Sequence, residues 1–158
     1  LLTQIVAVPF SILFGKLAER LGSVRVLLGA VCIYFLVCLV GFFMGFNIEQ
    51  NPGSQQALQF SLILFWCMAF LVGTVQGGIQ AISRSYFGKL IPPERSNEYF
   101  GFFDIFGKFA AVIGPLLVAA FTQMTGRDSI GVISLALLFA VGGCILFFGR
   151  KLFTDRAA

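Results

Sequence analysis

Four long, predominantly apolar segments restrict the fold of this chain more than any other feature. They comprise residues 24–46, 58–83, 99–121 and 129–149, and a shorter apolar segment covers residues 1–15. About 20 helical residues cross roughly 30 Å of hydrocarbon, and each long segment meets that length. All four are too long and too uniformly apolar for the alternating strands of a membrane β-barrel. The sequence therefore predicts an all-α integral membrane protein with four complete transmembrane helices and one truncated helix.

The composition excludes a water-soluble globular protein. Hydrophobic residues make up 58% of the chain and charged residues only 11%, whereas soluble domains carry roughly 25% charged residues. The absence of histidine removes the commonest general base and metal ligand. Four cysteines lie in apolar segments without CxxC spacing, which predicts packing roles. We expect no metal or other cofactor and, without a phosphate-binding loop, an acid pair or an activated nucleophile, no enzymatic activity.

Lysine and arginine alternate between the two sides of the predicted membrane. The first connection, the third connection and the tail carry Lys16, Arg20, Arg25, Arg84, Lys89, Arg95, Arg150, Lys151 and Arg156. The other side holds Arg127 alone. By the positive-inside rule, the basic loops and the tail lie in the cytoplasm. The pattern predicts a multi-pass protein of the inner or plasma membrane, or of the vacuolar membrane in a eukaryote.

Polar side chains are unevenly distributed among the predicted spans. Apart from Arg25 at the start of the first, residues 24–46 and 129–149 contain no charge and almost no polar side chain, which would allow them to face lipid on all sides. Residues 58–83 and 99–121 carry polar or charged side chains, which usually mark a surface facing other helices or a water-filled cavity. We therefore expect the functional residues in these two spans.

Asp104 and Lys108 place two charges inside one predicted span. On a helix they share a face with small residues, whereas phenylalanines occupy the opposite face. A charge in the middle of the bilayer costs about 3 kcal/mol on insertion scales, and an acid four residues before a base favours pairing between the two. Two interpretations stay open: a self-neutralised pair tolerated near the interface, or a gate, coupling or substrate site.

A second polar stripe lies in residues 58–83, where Gly73, Gln76 and Gln80 share one helical face. Amide groups offer donors and acceptors in several directions, which suits a zwitterion or a polyol. The alternative is hydrogen bonding between helices, worth about 0.6 kcal/mol for each bond. On the first interpretation these three residues bind substrate or line a cavity.

The first connection, GKLAERLGSVR, contains Gly15, Glu19, Arg20 and Gly22. The two glycines would permit a tight turn and a close approach between helices. Glu19 and Arg20 could bind helix ends or opposite charges across a cytoplasmic interface. The alternative is a solvated turn that only follows the positive-inside rule.

The segment from Gly15 to Gly22 resembles the loop signature G-x-L-a-D/E-R-x-G of the major facilitator superfamily. It departs from that signature after Gly22, where SVR replaces the usual basic cluster. Residues 77–115 are similar to the branch related to the autophagy-linked vacuolar effluxers. The chain begins within an apolar segment, without Met and without a basic leader, so we expect a piece of a longer protein. The resemblance implies that residues 1–158 form the C-terminal half of a twelve-helix transporter, from the end of helix eight to helix twelve and the tail.

The resemblance also implies a function, namely secondary active transport of small solutes by alternating access, with amino acids as one candidate class. Gln76 and Gln80 would then contact substrate, Asp104 and Lys108 would form a gate or coupling pair, and the first connection would form a cytoplasmic latch. The expected partners are the lipid bilayer, a small-molecule substrate and the missing N-terminal half, without nucleic acid. The alternative is a non-transporting membrane scaffold or receptor subunit, in which both polar stripes pack against protein.

Overall fold

The computed structural model describes the backbone of residues 2–155 and the side chains of residues 3–149. Five α-helices and one short 3₁₀ helix account for nearly all of this part, which contains no strand. The helices are α1 (Leu2–Leu21), α2 (Ser23–Gln50), α3 (Gln55–Leu90), α4 (Ser96–Thr125) and α5 (Asp128–Asp155), with the 3₁₀ helix at Pro93–Arg95. Four segments are long and apolar enough to cross a membrane: Ser23–Gln50, Gln55–Leu90, Pro93–Thr125 and Asp128–Gly149. The predicted all-α membrane fold is confirmed.

Glycine, proline and serine set the helix ends. Gly22 separates α1 from α2 with a φ of 90°, and Gly126 ends α4 in the left-handed region with a φ of 68°. Ser54 begins α3, since its hydroxyl oxygen accepts a hydrogen bond from the Ala57 amide at 3.4 Å. Ile91 ends α3 with extended backbone because the following Pro92 disfavours the helical conformation.

Helix α3 is longer than the predicted span 58–83. Its 36 residues extend for about 54 Å at 1.5 Å per residue, well beyond roughly 30 Å of hydrocarbon. The segment after Ser83 carries Arg84 and Lys89, which are polar but do not break a helix. Charged residues therefore end the apolar segment, whereas Pro92 ends the helix.

The helices pack in a continuous chain of neighbours. Helix α3 contacts α1 and α2, α2 also contacts α5, and α5 contacts α4. Helix α2 buries six residues: Val24, Val26, Leu27, Ala30, Cys38 and Gly41. The expectation that residues 24–46 face lipid on all sides is therefore wrong, because an apolar surface packs against another helix as readily as against lipid. Helix α4, described over its whole length, buries none of its residues.

Small residues allow close contacts between helices. A Cβ atom added to Gly77 would lie 2.6 Å from the Ala7 carbonyl oxygen, and one added to Gly73 would lie 3.1 Å from the Thr3 backbone. These two glycines, four residues apart, let the α1 backbone approach α3, as small residues commonly do between membrane helices. Gly15 has no neighbour within 4 Å of an added Cβ. The predicted close approach at Gly15 is therefore wrong within the described residues, whereas the tight turn at Gly22 is observed.

Candidate functional site

The helix ends form two distinct groups. At one end, which we call the basic end, residues 18–25 of the α1–α2 turn lie with Tyr86 and Lys89 of α3 around a single groove. The ring of Phe87 joins α4 to this end through contacts to the rings of Phe100 and Phe103. At the opposite end, the last turn of α2 contacts the first turn of α5. The basic residues of the two connections predicted to share a side do meet at one end.

Asp104 forms an ion pair with Arg84 of the neighbouring helix α3. The guanidinium Nη2 lies 3.0 Å from Oδ1 and 3.4 Å from Oδ2 of the carboxylate. The side chains are 57% and 50% exposed. Among the residues whose side chains are described, no ion pair joins Asp104 to Lys108. The interpretation of a self-neutralised Asp104–Lys108 pair is therefore wrong, because the compensating charge comes from another helix.

Aromatic rings flank this ion pair on the side of the α3–α4 connection. The Phe87 ring centroid lies 5.5 Å from that of Phe100, in an edge-to-face arrangement, and 5.0 Å from that of Phe103. The backbones of α3 and α4 do not pack closely along their length. Side chains thus bridge the two helices near the basic end. We call the set Arg84, Phe87, Phe100, Phe103 and Asp104 the α3–α4 seam.

Gln76 and Gln80 lie on the same face of α3 as Arg84, because the three positions are spaced by four residues. Gln76 is half-buried and Gln80 is exposed. In the described part of the chain, neither side-chain amide hydrogen bonds to another helix. The alternative interpretation, in which these amides connect helices, thus receives no support from the geometry. Gly73, on the same predicted stripe, is buried in the contact with α1.

Lys108 is exposed and lies one helical turn beyond Asp104. Because α3 and α4 run in opposite directions, moving from Asp104 to Lys108 corresponds to moving from Arg84 towards Gln80. Each step is about 6 Å along its helix. The set Gln76, Gln80, Arg84, Asp104 and Lys108, which we call the polar cleft, carries two amides and charges of both signs on two consecutive helices that the Arg84–Asp104 ion pair joins.

The predicted latch residues separate into two places. Glu19, Arg20 and Gly22 line the groove at the basic end, which has a volume of about 650 Å³ and which we call the basic groove. Gly15 lies one turn before Glu19 on α1 and does not line it. Glu19 and Arg20 are both exposed, and no ion pair within the described residues engages either of them. Their charges remain available to a partner.

Glu49 of α2 makes a contact with α5 that the sequence did not predict. Its Oε1 accepts a hydrogen bond from the Ser129 backbone N–H at 2.9 Å, and its Oε2 accepts one from the Ser129 hydroxyl at 2.8 Å. The carboxylate of α2 thus caps the N-terminus of α5, where the helix dipole favours negative charge. Gly45 permits the approach, because an added Cβ would lie 3.3 Å from Ser129. A serine near a helix start was a visible signal, but its partner lies 80 residues away.

Comparison with known proteins shows the family of this chain. A family model described as "Vacuole effluxer Atg22 like" matches residues 1–151. The chain belongs to the Atg22-like family. The uncharacterized MFS-type transporter YxiO of Bacillus subtilis is 48% identical over 146 residues, which cover 92% of the chain and 31% of that relative. The resemblance to the major facilitator superfamily and its vacuolar-effluxer branch is therefore confirmed.

Fungal proteins of the Atg22 type also match. Autophagy-related protein 22-2 of Sclerotinia sclerotiorum is 28% identical over 127 residues, covering 78% of the chain and 18% of the relative. Autophagy-related protein 22 of Eremothecium gossypii is 31% identical over 98 residues, covering 59% of the chain and 18% of the relative. The chain thus spans between about a fifth and a third of the length of these relatives. No solved structure gives a significant match.

Family membership and the four long apolar helices together identify a multi-pass membrane protein. The polar cleft is therefore a set of polar and charged side chains on helices of a membrane domain. Such side chains are costly in hydrocarbon and usually mark a route or a binding site for polar solutes.

Proposed function

We propose that the protein is a secondary active transporter that moves small solutes by alternating access, and that this chain supplies part of its C-terminal half, from the end of helix eight to helix twelve. One observation carries the proposal: on otherwise apolar membrane helices, α3 and α4 carry amides and both signs of charge, and an Arg84–Asp104 ion pair joins the two helices. The name of the B. subtilis relative, an MFS-type transporter, supports it. A binding site near the repeat interface is the general arrangement in such transporters.

The polar cleft divides into a binding part and a gating part. Gln76 and Gln80 contact the solute, and Gly73 positions them by letting α1 pack closely against α3. Asp104 gates the cleft together with Arg84, and Lys108 supplies the next cation along α4. A zwitterionic solute such as an amino acid fits this set, because its carboxylate and its ammonium both find opposite charges. The described function of the family, vacuole efflux, suggests transport away from the lumen.

The exposure of the ion pair suits a gate. Pairs open to water contribute about 0.2–1 kcal/mol, and about half of each side chain is exposed here. A closure of this strength breaks easily when a solute offers Arg84 or Asp104 another partner. Loss of water from a closed seam would strengthen the same pair, because the interaction energy rises as the local dielectric constant falls. The basic end would face the cytoplasm, with Glu19 and Arg20 as a latch towards the other half.

Transport by the purified full-length protein in proteoliposomes tests this proposal. Asp104→Asn and Arg84→Gln each remove one partner of the pair, and we expect uptake of a radiolabelled amino-acid mixture to change in rate and in pH dependence. Glu94→Gln, an exposed change outside the cleft, serves as the matched control. Uptake by both cleft variants that matches the control would exclude a gating role.

The scaffold alternative has its own test. Cysteines placed at Gln76, Gln80 and Asp104, in a background in which Cys32, Cys38, Cys67 and Cys144 are replaced, report contact with water. A transporter exposes them to a membrane-impermeant thiol reagent in at least one state. Complete protection at all three positions, with and without solute, would favour a non-transporting scaffold.

A further inference from the structure

The basic groove carries charges that the proposed transport mechanism does not fully use. Besides Glu19 and Arg20, its lining includes Arg25 at the start of α2 and Lys89 at the end of α3. Three cations thus face one carboxylate. Among the described residues, none of the three cations forms an ion pair, and all three are exposed. An uncompensated positive charge concentrated in a concave site indicates an anionic ligand.

The start of α2 adds to the positive potential of the basic groove. Gly22 precedes this helix with a φ of 90°, and no side chain caps the first amides of α2. The N-terminus of a long helix carries a partial positive charge, and its free N–H groups donate to anions. Ser23, Val24 and Arg25 of this first turn line the groove. Cationic side chains and backbone donors therefore converge on the same volume.

An apolar stripe leads away from the groove along α1. Leu21 lines the groove, and Leu17 and Leu13 follow at intervals of four residues on the same helical face. Their side chains are 49%, 39% and 55% exposed, respectively. Helix α1 packs against α3 and α2, which are both long and apolar enough to span a membrane, so the stripe leads from the groove along the direction of those spans. A charged head site joined to an exposed leucine stripe matches the shape and polarity of a phospholipid.

We propose that the basic groove binds the headgroup of an anionic phospholipid, whose acyl chain lies along Leu21, Leu17 and Leu13. The phosphate accepts hydrogen bonds from Arg25 and Lys89, and Arg20 adds a third positive charge to the groove. A soluble anion would use the cations but not the leucine stripe, which favours the lipid as the occupant. The site lies at the basic end, where the α3–α4 seam also lies. The inference does not depend on the transport proposal.

Native mass spectrometry of the purified full-length protein in neutral detergent tests the site. The probes are phosphatidylglycerol, phosphatidylcholine with the same acyl chains, and inorganic phosphate. We expect saturable binding of phosphatidylglycerol, with much lower occupancy by the other two. Arg25→Gln combined with Lys89→Gln should weaken that binding about 25-fold, since each basic side chain at an anionic lipid surface contributes roughly a factor of five.

A matched control removes the same charge elsewhere. Lys16→Gln combined with Arg95→Gln changes two exposed basic residues that do not line the groove, and it should leave the affinity within about two-fold. An equal loss in both double variants, or equal binding of the two lipids, would refute the site. Phosphate binding as tight as that of phosphatidylglycerol would show a soluble-anion site and overturn the lipid assignment. If the double variant does not fold, the single Lys89→Gln variant, with an expected five-fold loss, decides the question.

Discussion

Replacing Gly77 by alanine tests the closest approach of a glycine to the backbone of another helix within the described residues. An added Cβ would lie 2.6 Å from the carbonyl oxygen of Ala7, 3.1 Å from its Cβ and 3.2 Å from its carbonyl carbon. Ordinary contacts begin near 3.4 Å, so α1 must move away from α3 by about 0.8 Å. The obstacle is backbone, which cannot rotate away as a long side chain could. Overpacking of this kind costs about 1–3 kcal/mol.

Helix propensity works in the other direction and sets the net effect. Alanine is favoured over glycine in a helix interior by about 0.5–1 kcal/mol. We therefore expect Gly77→Ala to lower the free energy of unfolding by about 0.5–2 kcal/mol. The control is Gly29→Ala in α2, where an added Cβ meets nothing within 4 Å and only the propensity gain remains. The two variants should thus differ by about 1–3 kcal/mol.

Unfolding of the purified protein in mixed micelles, followed by circular dichroism as sodium dodecyl sulfate is increased, measures this difference. The comparison between two glycine-to-alanine variants cancels the effect of the unfolded state, which is the same for both. If Gly77→Ala proves as stable as Gly29→Ala, then α1 and α3 are not in the close backbone contact described here. The positioning of Gln76 through this contact would then also lose its basis.

Three further predictions concern the ion pair, the helix cap and the cleft. A double-mutant cycle with Arg84→Gln and Asp104→Asn should give a coupling energy of about 0.2–1 kcal/mol in stability, since both side chains are about half exposed. Ser129→Ala should destabilise the protein by about 1–2 kcal/mol in the same unfolding assay, because its buried hydroxyl donates to a carboxylate. A cysteine at Gln80 should react rapidly with a water-soluble maleimide, because this position is exposed and lies in the polar cleft that the proposed function opens to water.

Each of these predictions has a matched control within the chain. Asn97→Ala, an exposed change at the start of α4, should not couple to Arg84→Gln. Ser85→Ala changes an exposed serine and should leave stability within about 0.5 kcal/mol. A cysteine at Val75, which is 1% exposed, should resist the maleimide that labels position 80. A zero coupling energy, a neutral Ser129→Ala or equal labelling at both positions would contradict the respective contact.

The spans and turns could be predicted because local chemistry determines them. Long apolar segments bounded by Gly22, Pro92 and Gly126 can form only helices that stop near those residues in a membrane. The end of α3 was less predictable, since the two helical turns that follow Ser83 are polar yet remain helical. Burial could not be predicted either, because the apolar side chains of a segment such as residues 24–46 can pack equally well against lipid or against a neighbouring helix.

The partners of the charged residues depend on tertiary structure. The sequence offered Lys108 as the neighbour of Asp104 within one helix, but Arg84 approaches from α3 across the intervening connection. A connection of only a few residues could have suggested this, since it forces α3 and α4 to be adjacent and antiparallel. No comparable sequence signal predicted the partner of Glu49, because Ser129 becomes adjacent only after α2 packs against α5.

The two ends of the bundle are joined by contacts of different strength, and this difference indicates where movement is easiest. At the end opposite the basic end, a buried Ser129 binds the carboxylate of α2, and Gly45 brings the two backbones together. Helices α1 and α3 are joined just as closely through Gly73 and Gly77. The α3–α4 seam, by contrast, consists of half-exposed side chains between backbones that remain apart. Close backbone packing resists small displacements, whereas an exposed ion pair exchanges partners at little cost. We therefore expect the α3–α4 seam to separate more easily than the α1–α3 and α2–α5 contacts.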